Sequence, residues 1–341
     1  MTRRRARPPY LPPLRPYEVL AALHVAAVFL LIRWVALFDV SFGRTLADEI
    51  PFALSLGGLT GAGFLLRALL VARRDGAARA GRLLRAGTRP TVLVDAARFV
   101  LFTVLAAHGY TWLKIFLPLL NPALHDAALA RLDAAVHFGL NVNRLAIELL
   151  PVPGLWRFID GYYMLFLATI LGGLGWFAST LSLAERARFA TGFAVLWISG
   201  AWFYLAVPSL GPCYAFPEDY ASVRESLPIQ TATQETLLRH YRTVRGLRER
   251  GAEGMVVSPV LGVAAMPSLH VAGQAFYAFF ARRRSRPLFV FFAAATALTF
   301  YGSLVTGWHY AVDGYAGLLL GWLCARIAGR GTPGRRPAPT G

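Results

Sequence analysis

The segment PLFVFFAAATALTFYGSLVT, residues 287–306, is twenty residues long and carries no charged side chain. A helix of about 20 apolar residues spans the ~30 Å hydrocarbon core of a bilayer. Seven other apolar segments are distributed along the chain, at 18–40, 52–72, 97–119, 154–178, 189–208, 267–281 and 310–328. The sequence therefore predicts an all-α fold, a polytopic membrane helix bundle with about eight transmembrane helices. The segment 267–281 is the shortest, and the side of the membrane assigned to everything after it depends on whether it spans.

The charge pattern sets the expected orientation. The chain of 341 residues is 56% hydrophobic, yet its formal net charge is +17. If each apolar segment spans, the termini and every second loop lie on the same side of the membrane, and these parts hold 21 arginines. The loops on the opposite side hold three up to residue 153. An excess of arginine in cytoplasmic loops is the positive-inside rule, so both termini are predicted to be cytoplasmic. We interpret the high net charge as a result of this membrane orientation. The expected partner is the lipid bilayer, and no nucleic acid is expected to bind.

The remaining segments complete a single membrane domain. Residues 1–17 are expected to be a disordered basic tail, 18–328 the transmembrane catalytic domain, and 329–341 a disordered C-terminal tail. The outer loops are 121–153 and 209–266. The first carries apolar residues at helical spacing and predicts an amphipathic helix on the membrane surface, through Leu124, Ala128, Leu132 and Val136. The second carries six arginines on the side where the rule expects few, which suggests that an anionic group is handled there.

Two polar patches interrupt the apolar pattern on the predicted outer side. In VPSLGPCYAFP (207–217), prolines and Gly211 end a helix and shape a turn. By itself this patch is best explained as an ordinary helix exit. In AAMPSLHVAGQAF (264–276), Met-Pro-Ser reads as a helix start, which places His270 on the first turn. The free N–H groups and partial positive charge of a helix N-terminus suit a phosphate, although a structural histidine is an alternative.

The third patch is GWHYAVDGYAG, residues 307–317. His309 and Asp313 are four residues apart, so on a helix they share a face. A carboxylate on one imidazole nitrogen fixes the tautomer and leaves the other nitrogen free to react. A buried His–Asp pair that only holds helices together is the alternative. The arginine-based topology places His270 and His309 at one membrane depth, and we expect them to face each other across a phosphate-sized gap.

MPSLH (266–270) followed by TGWHYAVDGYAG (306–317) resembles the motifs of the type 2 phosphatidic acid phosphatase superfamily. The closer likeness is to its inositol phosphorylceramide synthase and sphingomyelin synthase branch, with PSLH and HYxxD. HDAALARLDAAVHFG (125–139) is similar to a segment common in inositolphosphotransferase-like members. The resemblance covers about 265–320 well and extends more loosely back to these upstream segments.

The resemblance implies roles for the motif residues. His309 would be the nucleophile that forms a phosphohistidine, Asp313 would orient it, and His270 would be the general acid. Further phosphate and substrate contacts are expected from Ser268, Gly211, Tyr214 and Ser303. No metal and no cofactor is implied.

The chain departs from the phosphatase pattern in its cations. The pattern has Ser-Arg where this chain has Gly302 and Ser303, and the motif of a lysine followed by Arg-Pro is missing. The arginines of RHYRTVRGLRER (239–250) are the substitutes we considered, with Arg242 and Arg245 on one predicted helix face. A solvated charged helix explains those arginines equally well.

The function implied is a lipid phosphotransferase or phosphatase, inositolphosphotransferase-like, with its active site on the extracytoplasmic face of the cell membrane. One alternative is a polyprenyl or phosphatidate lipid phosphatase of the same superfamily. A different class is a non-enzymatic transporter with an intramembrane His–Asp relay. Against the transporter, no internal repeat relates the two halves of the chain.

Overall fold

The computed structural model describes residues 13–36, 46–149, 151–180, 182–247 and 261–329, and this part of the chain is built from helices without strands. The first half contains α1 (Pro16–Leu31), α2 (Ile50–Asp75), α3 (Ala77–Gly87), α4 (Pro90–Leu120), α5 (Asp126–Val136) and α6 (Val142–Leu149). The second half contains α7 (Pro153–Ala178), α8 (Leu183–Ala206), α9 (Pro212–Ala215), α10 (Pro228–Arg245), α11 (Leu269–Ala281), α12 (Arg286–Val305) and α13 (Ala311–Gly329). The predicted all-α polytopic bundle is confirmed.

Seven helices in the described chain, rather than eight, are long and apolar enough to cross a membrane: α1, α2, α4, α7, α8, α12 and α13. The expected sixth span, 267–281, is α11, which has only 13 residues. At 1.5 Å per residue it is roughly 20 Å long. Nearly all of it is buried, and Leu269 packs against Gly200, inside the end of α8. α11 is thus a core helix that is too short and too buried to count as a span by itself. It still carries the chain from one end of the bundle to the other, because Leu269 at its start lies against Gly200 and Arg284 just after its end pairs with Glu185 at the start of α8.

A cluster of buried charges joins three helices at the end of the bundle opposite to the first turn of α11. Asp95 of α4 forms ion pairs with Arg15, which precedes α1, and with Arg186 of α8. The Arg186 Nε–H also donates to the Ala178 carbonyl at 2.7 Å. At the same end, Ala328 in the last turn of α13 lies against Gly192. The described chain therefore starts and finishes at one end of the bundle.

Glycines on α13 allow it to approach α11 closely. A Cβ on Gly317 would lie 2.4 Å from the Ser268 carbonyl oxygen, and one on Gly321 would lie 2.7 Å from the Ala272 carbonyl oxygen. Small residues let helix backbones meet in this way inside membranes. The contact brings the first turn of α11, with His270, beside the first turn of α13.

The predicted amphipathic helix is present as α5, between α4 and α6. The apolar residues predicted to form its stripe are exposed, with Leu124 just before the helix and the others on it: Leu124, Ala128, Leu132 and Val136. The opposite face of α5 is buried through Leu129 and two aspartates, Asp126 and Asp133. That buried face carries the contacts to the site described below.

The buried ion pairs of Asp95 lead to a prediction about stability. Arg186→Met should lower the free energy of unfolding by about 3 kcal/mol, because Asp95 then stays buried with one cation fewer. The measurement is the melting temperature of the purified protein in detergent. Arg144→Met is the control, since the Arg144–Glu148 pair is solvent-exposed and should contribute nothing measurable. Equal shifts in the two variants would contradict a stabilising role for the cluster.

Candidate active site

The three polar patches of the sequence meet at one place, joined by backbone hydrogen bonds. The Ala265 N–H donates to the Ser209 carbonyl at 3.0 Å, and the Cys213 N–H donates to the Gly307 carbonyl at 2.9 Å. The Ser268 N–H donates to the carbonyl of Asp313 at 2.9 Å. The end of α8, the start of α11 and the start of α13 therefore form one polar centre.

His270 and His309, 39 positions apart in the chain, are in direct contact there. His270 Nδ1 lies 2.9 Å from His309 Nε2, and the ring centroids are 5.2 Å apart. The prediction that the two imidazoles face each other is met, but the expected phosphate-sized gap between them is absent. A phosphoryl group could reach His309 Nε2 only after this contact opens.

The tautomer of His309 follows from its other nitrogen. His309 Nδ1 lies 2.9 Å from the Ala265 carbonyl oxygen, which can only accept, so Nδ1 carries the proton. Neutral His309 then keeps its lone pair on Nε2, facing His270. The side chain is 1% exposed, which shields this lone pair from bulk water.

Asp313 stands beside His309 but is not its closest acceptor. Its Oδ2 is 3.5 Å from His309 Nδ1 and accepts a hydrogen bond from the Tyr310 N–H at 3.0 Å. The carboxylate is fully buried, and its Oδ1 has no hydrogen-bond partner among the described residues. The Ala265 carbonyl orients the imidazole directly, whereas Asp313 supplies a negative charge next to it.

His270 is held by aromatic residues of α7 that the sequence reading did not single out. The Tyr163 hydroxyl lies 3.1 Å from His270 Nδ1, and Phe166 meets the ring edge-to-face at 4.2 Å between centroids. The polar start of α7 was visible in the sequence as a cluster of tyrosines and charges. Its spacing from the histidine motifs could not reveal which tyrosine reaches His270.

The remaining predicted residues divide into two groups. Ser268 caps α11 by accepting from the Val271 N–H, and the Ser303 hydroxyl donates to the Phe300 carbonyl at 2.7 Å. Tyr214 donates its hydroxyl to the Gln234 carbonyl at 3.0 Å. These three side chains and Gly211 lie around the polar centre and shape its backbone.

The two predicted arginines do not line the site. Arg242 and Arg245 are exposed in the last turns of α10, and neither lines the cavity next to His270. The single lysine of the chain, Lys114, lines that cavity instead. Its ammonium lies 5.9 Å from the Tyr110 ring centroid. The signal in the sequence was a lone lysine inside an apolar span.

The cavity has a volume of about 410 Å³ and lies between α4, α7 and α8. Its polar end is formed by Lys114, Tyr163, His270, Gln230 and Trp308, and the rest of its wall is mostly apolar. Gln230 accepts a hydrogen bond from the Trp308 indole at 2.7 Å, which ties α10 over the segment that carries His309.

Buried carboxylates hold the loops of the centre in place. Asp126 of α5 accepts from the Gly211 N–H at 2.9 Å and from the Tyr310 hydroxyl at 3.1 Å. Asp160 of α7 accepts from the Gln230 N–H at 2.8 Å, at the start of α10. Polar loops inside a membrane protein need such internal partners, because lipid offers none.

Cys213 lies close to this centre without the properties of a nucleophile. Burial is the main cause that raises the pKa of its thiol well above the usual range. A thiol needs a lowered pKa to react as thiolate at neutral pH. The thiol is therefore not an activated nucleophile, whereas His309 carries an unprotonated Nε2 at the same centre.

Comparison with known proteins places these residues in a family context. A family model described as the PAP2 superfamily matches residues 127–327, which is more than half of the chain. The match contains His270, His309 and Asp313, and it starts beyond Lys114. No curated protein matches the chain, and no solved structure does.

The backbone conformation of Gly211 leads to a prediction about the stability of the site. Its φ is +105°, and an added Cβ would lie 2.5 Å from the Trp308 carbonyl oxygen. Gly211→Ala should destabilise the protein by about 2 kcal/mol from backbone strain alone, and by more because the segment before His309 must shift. The measurement is again the melting temperature in detergent.

The matched control is Gly139→Ala, where φ is +88° and an added Cβ would meet no atom within 4 Å. This variant carries strain without the clash. A loss of stability no larger in Gly211→Ala than in Gly139→Ala would show that the contact with Trp308 is unimportant.

Proposed function

The chain belongs to the PAP2 superfamily, and from that premise we propose that it is a phosphotransferase acting on lipid phosphoesters through a phosphohistidine at His309. The observation that carries the proposal is the paired arrangement of His309 and His270. One imidazole has its Nε2 lone pair free of a proton, and the second imidazole lies 2.9 Å from that atom at the polar end of the cavity. The seven apolar helices and the family support the coarser statement of a membrane phosphatase or phosphotransferase.

The proposed first step begins when substrate phosphate separates the two rings. His309 Nε2 attacks phosphorus, and the bond from phosphorus to the departing oxygen breaks. His270 enters this step as an imidazolium, gives one proton to that oxygen and becomes neutral. The imidazolium-like charge that develops on His309 is stabilised by the Asp313 carboxylate 3.5 Å away. In the second step the acceptor oxygen attacks phosphorus, the bond from phosphorus to His309 Nε2 breaks, and neutral His270 takes the acceptor proton. Both side chains are then restored.

Phosphoryl transfer requires charge stabilisation as well as a nucleophile. Lys114 is the cation that lines the cavity with His270, so we assign to it the neutralisation of the phosphate oxygens. The N-terminus of α11, capped by Ser268, supplies a partial positive charge from the other side. Arg242 and Arg245, which are exposed, are left out of this role.

An alcohol acceptor is favoured over water by two observations. His309 is 1% exposed, and the cavity beside His270 is mostly apolar. A site that excludes water protects a reactive intermediate from hydrolysis. The finer proposal is therefore transfer of a head group between lipids, in the manner of inositolphosphotransferase-like enzymes. The arginine distribution adds that both termini are cytoplasmic and the site extracytoplasmic, at the cell membrane.

The test is turnover by the purified protein in detergent, with a phospholipid labelled at phosphorus, a lipid alcohol and EDTA present. We expect a new labelled lipid and a transient label on the protein that is acid-labile, as a phosphohistidine is. His309→Ala should abolish both signals, whereas His240→Ala should retain them. Free labelled phosphate as the sole product would make the protein a phosphatase. No turnover of any lipid phosphoester, together with no protein label, would favour the transporter alternative.

The assignment of the cation is tested separately. Lys114→Met should lower kcat/KM about 100-fold, the usual effect of losing one group that stabilises developing charge. Arg242→Met and Arg245→Met should leave kcat/KM unchanged, since both arginines are exposed outside the cavity. The reverse pattern would return the phosphate-binding role to α10.

A further inference from the structure

The cavity next to His270 continues far beyond its polar end. Along α4 the lining residues extend from Lys114 to Phe102, twelve positions and roughly 18 Å at 1.5 Å per residue. Along α8 they extend from Tyr204 to Ala190, fourteen positions and roughly 21 Å. The far end is closed by Tyr17 of α1, which is buried. The cavity is thus a narrow chamber parallel to the helices.

The length of this chamber matches a lipid chain. One leaflet contributes half of the ~30 Å hydrocarbon core, which is about 15 Å. The walls between the two ends are mainly aliphatic and aromatic, including Ala194, Phe193 and Ile170. An apolar ligand that fills a chamber of this size gains dispersion contacts with the side chains that line it. The chemistry of the walls therefore fits a linear hydrocarbon chain.

The chamber also has a side towards the bilayer. Met164 and Leu167 of α7 line it and are 45% and 40% exposed. The close contacts between α2 and α7 lie further from the site, where Gly175 meets Leu59 and Gly63 meets Ser179. Nearer to His270, the exposed Met164 and Leu167 are where a chain from the bilayer could pass into the chamber.

We propose that this chamber binds one hydrocarbon chain of the lipid phosphoester substrate and measures its length. This rests on the proposed function, because the phosphate is then held at Lys114 and His270. The chain lies between α4, α7 and α8, and its methyl end meets Tyr17 and Ala190. A chain longer than the chamber leaves the phosphate short of His309, and a shorter one gives up buried contact area.

The experiment adds bulk at two depths on the same wall. Ala190 and Ala194 both line the chamber and are one helical turn apart, about 6 Å along α8. The variants are Ala190→Phe and Ala194→Phe. The matched control is Ala168→Phe, because Ala168 is exposed on α7 and does not line the chamber. Turnover is measured with saturated phosphatidates from octanoyl to stearoyl.

We expect both α8 variants to prefer shorter chains than the wild type does, and Ala194→Phe to prefer the shortest. For the longest phosphatidate, KM should rise about tenfold in Ala190→Phe, the loss expected when roughly two methylene groups are no longer buried. The octanoyl substrate and the Ala168→Phe control should be unaffected. A chain-length preference identical in all four proteins would overturn the proposal.

A second measurement separates this proposal from the reaction itself. A phosphatidate with a photoreactive diazirine at the end of its chain is irradiated with each protein, and the labelled peptides are identified. Label on the segments around Phe102 and Ala190, lost in Ala194→Phe, supports the chamber even if no phosphoester is turned over, in which case only the proposed function fails. Label confined to the lipid-facing side of the helices and equal in all variants would overturn the chamber.

Discussion

The hydrogen bond between the His309 Nδ1–H and the Ala265 carbonyl is the constraint on which the chemistry of this protein depends. It fixes the proton on one nitrogen and thereby leaves the lone pair on the other, aimed at His270. The carbonyl itself is held because the Ala265 N–H binds the end of α8 at Ser209. The reactivity of one side chain thus follows from the meeting of three backbone segments.

Those segments could not meet without internal partners for their polar groups. Lipid satisfies no backbone N–H, so the bends after α8 and before α13 need acceptors from the protein. Asp126 and Asp133 of α5 supply them, to Gly211 and to Val312 respectively. The exposed face of α5 is therefore apolar, and its buried face binds the loops of the site through hydrogen bonds. These hydrogen bonds hold α5 and the polar centre together.

The direct contact between the two histidines also has a consequence for the proposed reaction. His270 covers the reactive nitrogen of His309 and is itself in contact with Tyr163 and Phe166 of α7. In the reaction we propose, substrate phosphate displaces this hydrogen bond between the imidazoles before His309 reacts. A nucleophile that is covered until phosphate arrives would be protected from water, which agrees with the low exposure of His309. In the same proposal, Lys114 in the neighbouring cavity supplies the positive charge for the phosphate.

The sequence by itself determined the all-α membrane bundle, because hydropathy identifies the segments that are apolar enough to span a bilayer. It also predicted that His270 and His309 face each other, with Asp313 next to His309. It also determined the exposed stripe of α5, which depends only on helical periodicity. It could not show that 267–281 is a short core helix, since composition does not distinguish burial in protein from burial in lipid.

Only the tertiary structure decided which atoms lie closest to the side chains of the site. His309 and Asp313 were expected to share a helix face, but His309 precedes α13, and a carbonyl 44 residues earlier is nearer to its Nδ1 than the Asp313 carboxylate is. The expected gap between the imidazoles is closed. Lys114 lines the cavity that His270 also lines, whereas Arg242 and Arg245 of α10 do not. The physical reason is that hydrogen bonds and charges act over a few ångströms, and which atoms come that close is set by helix packing.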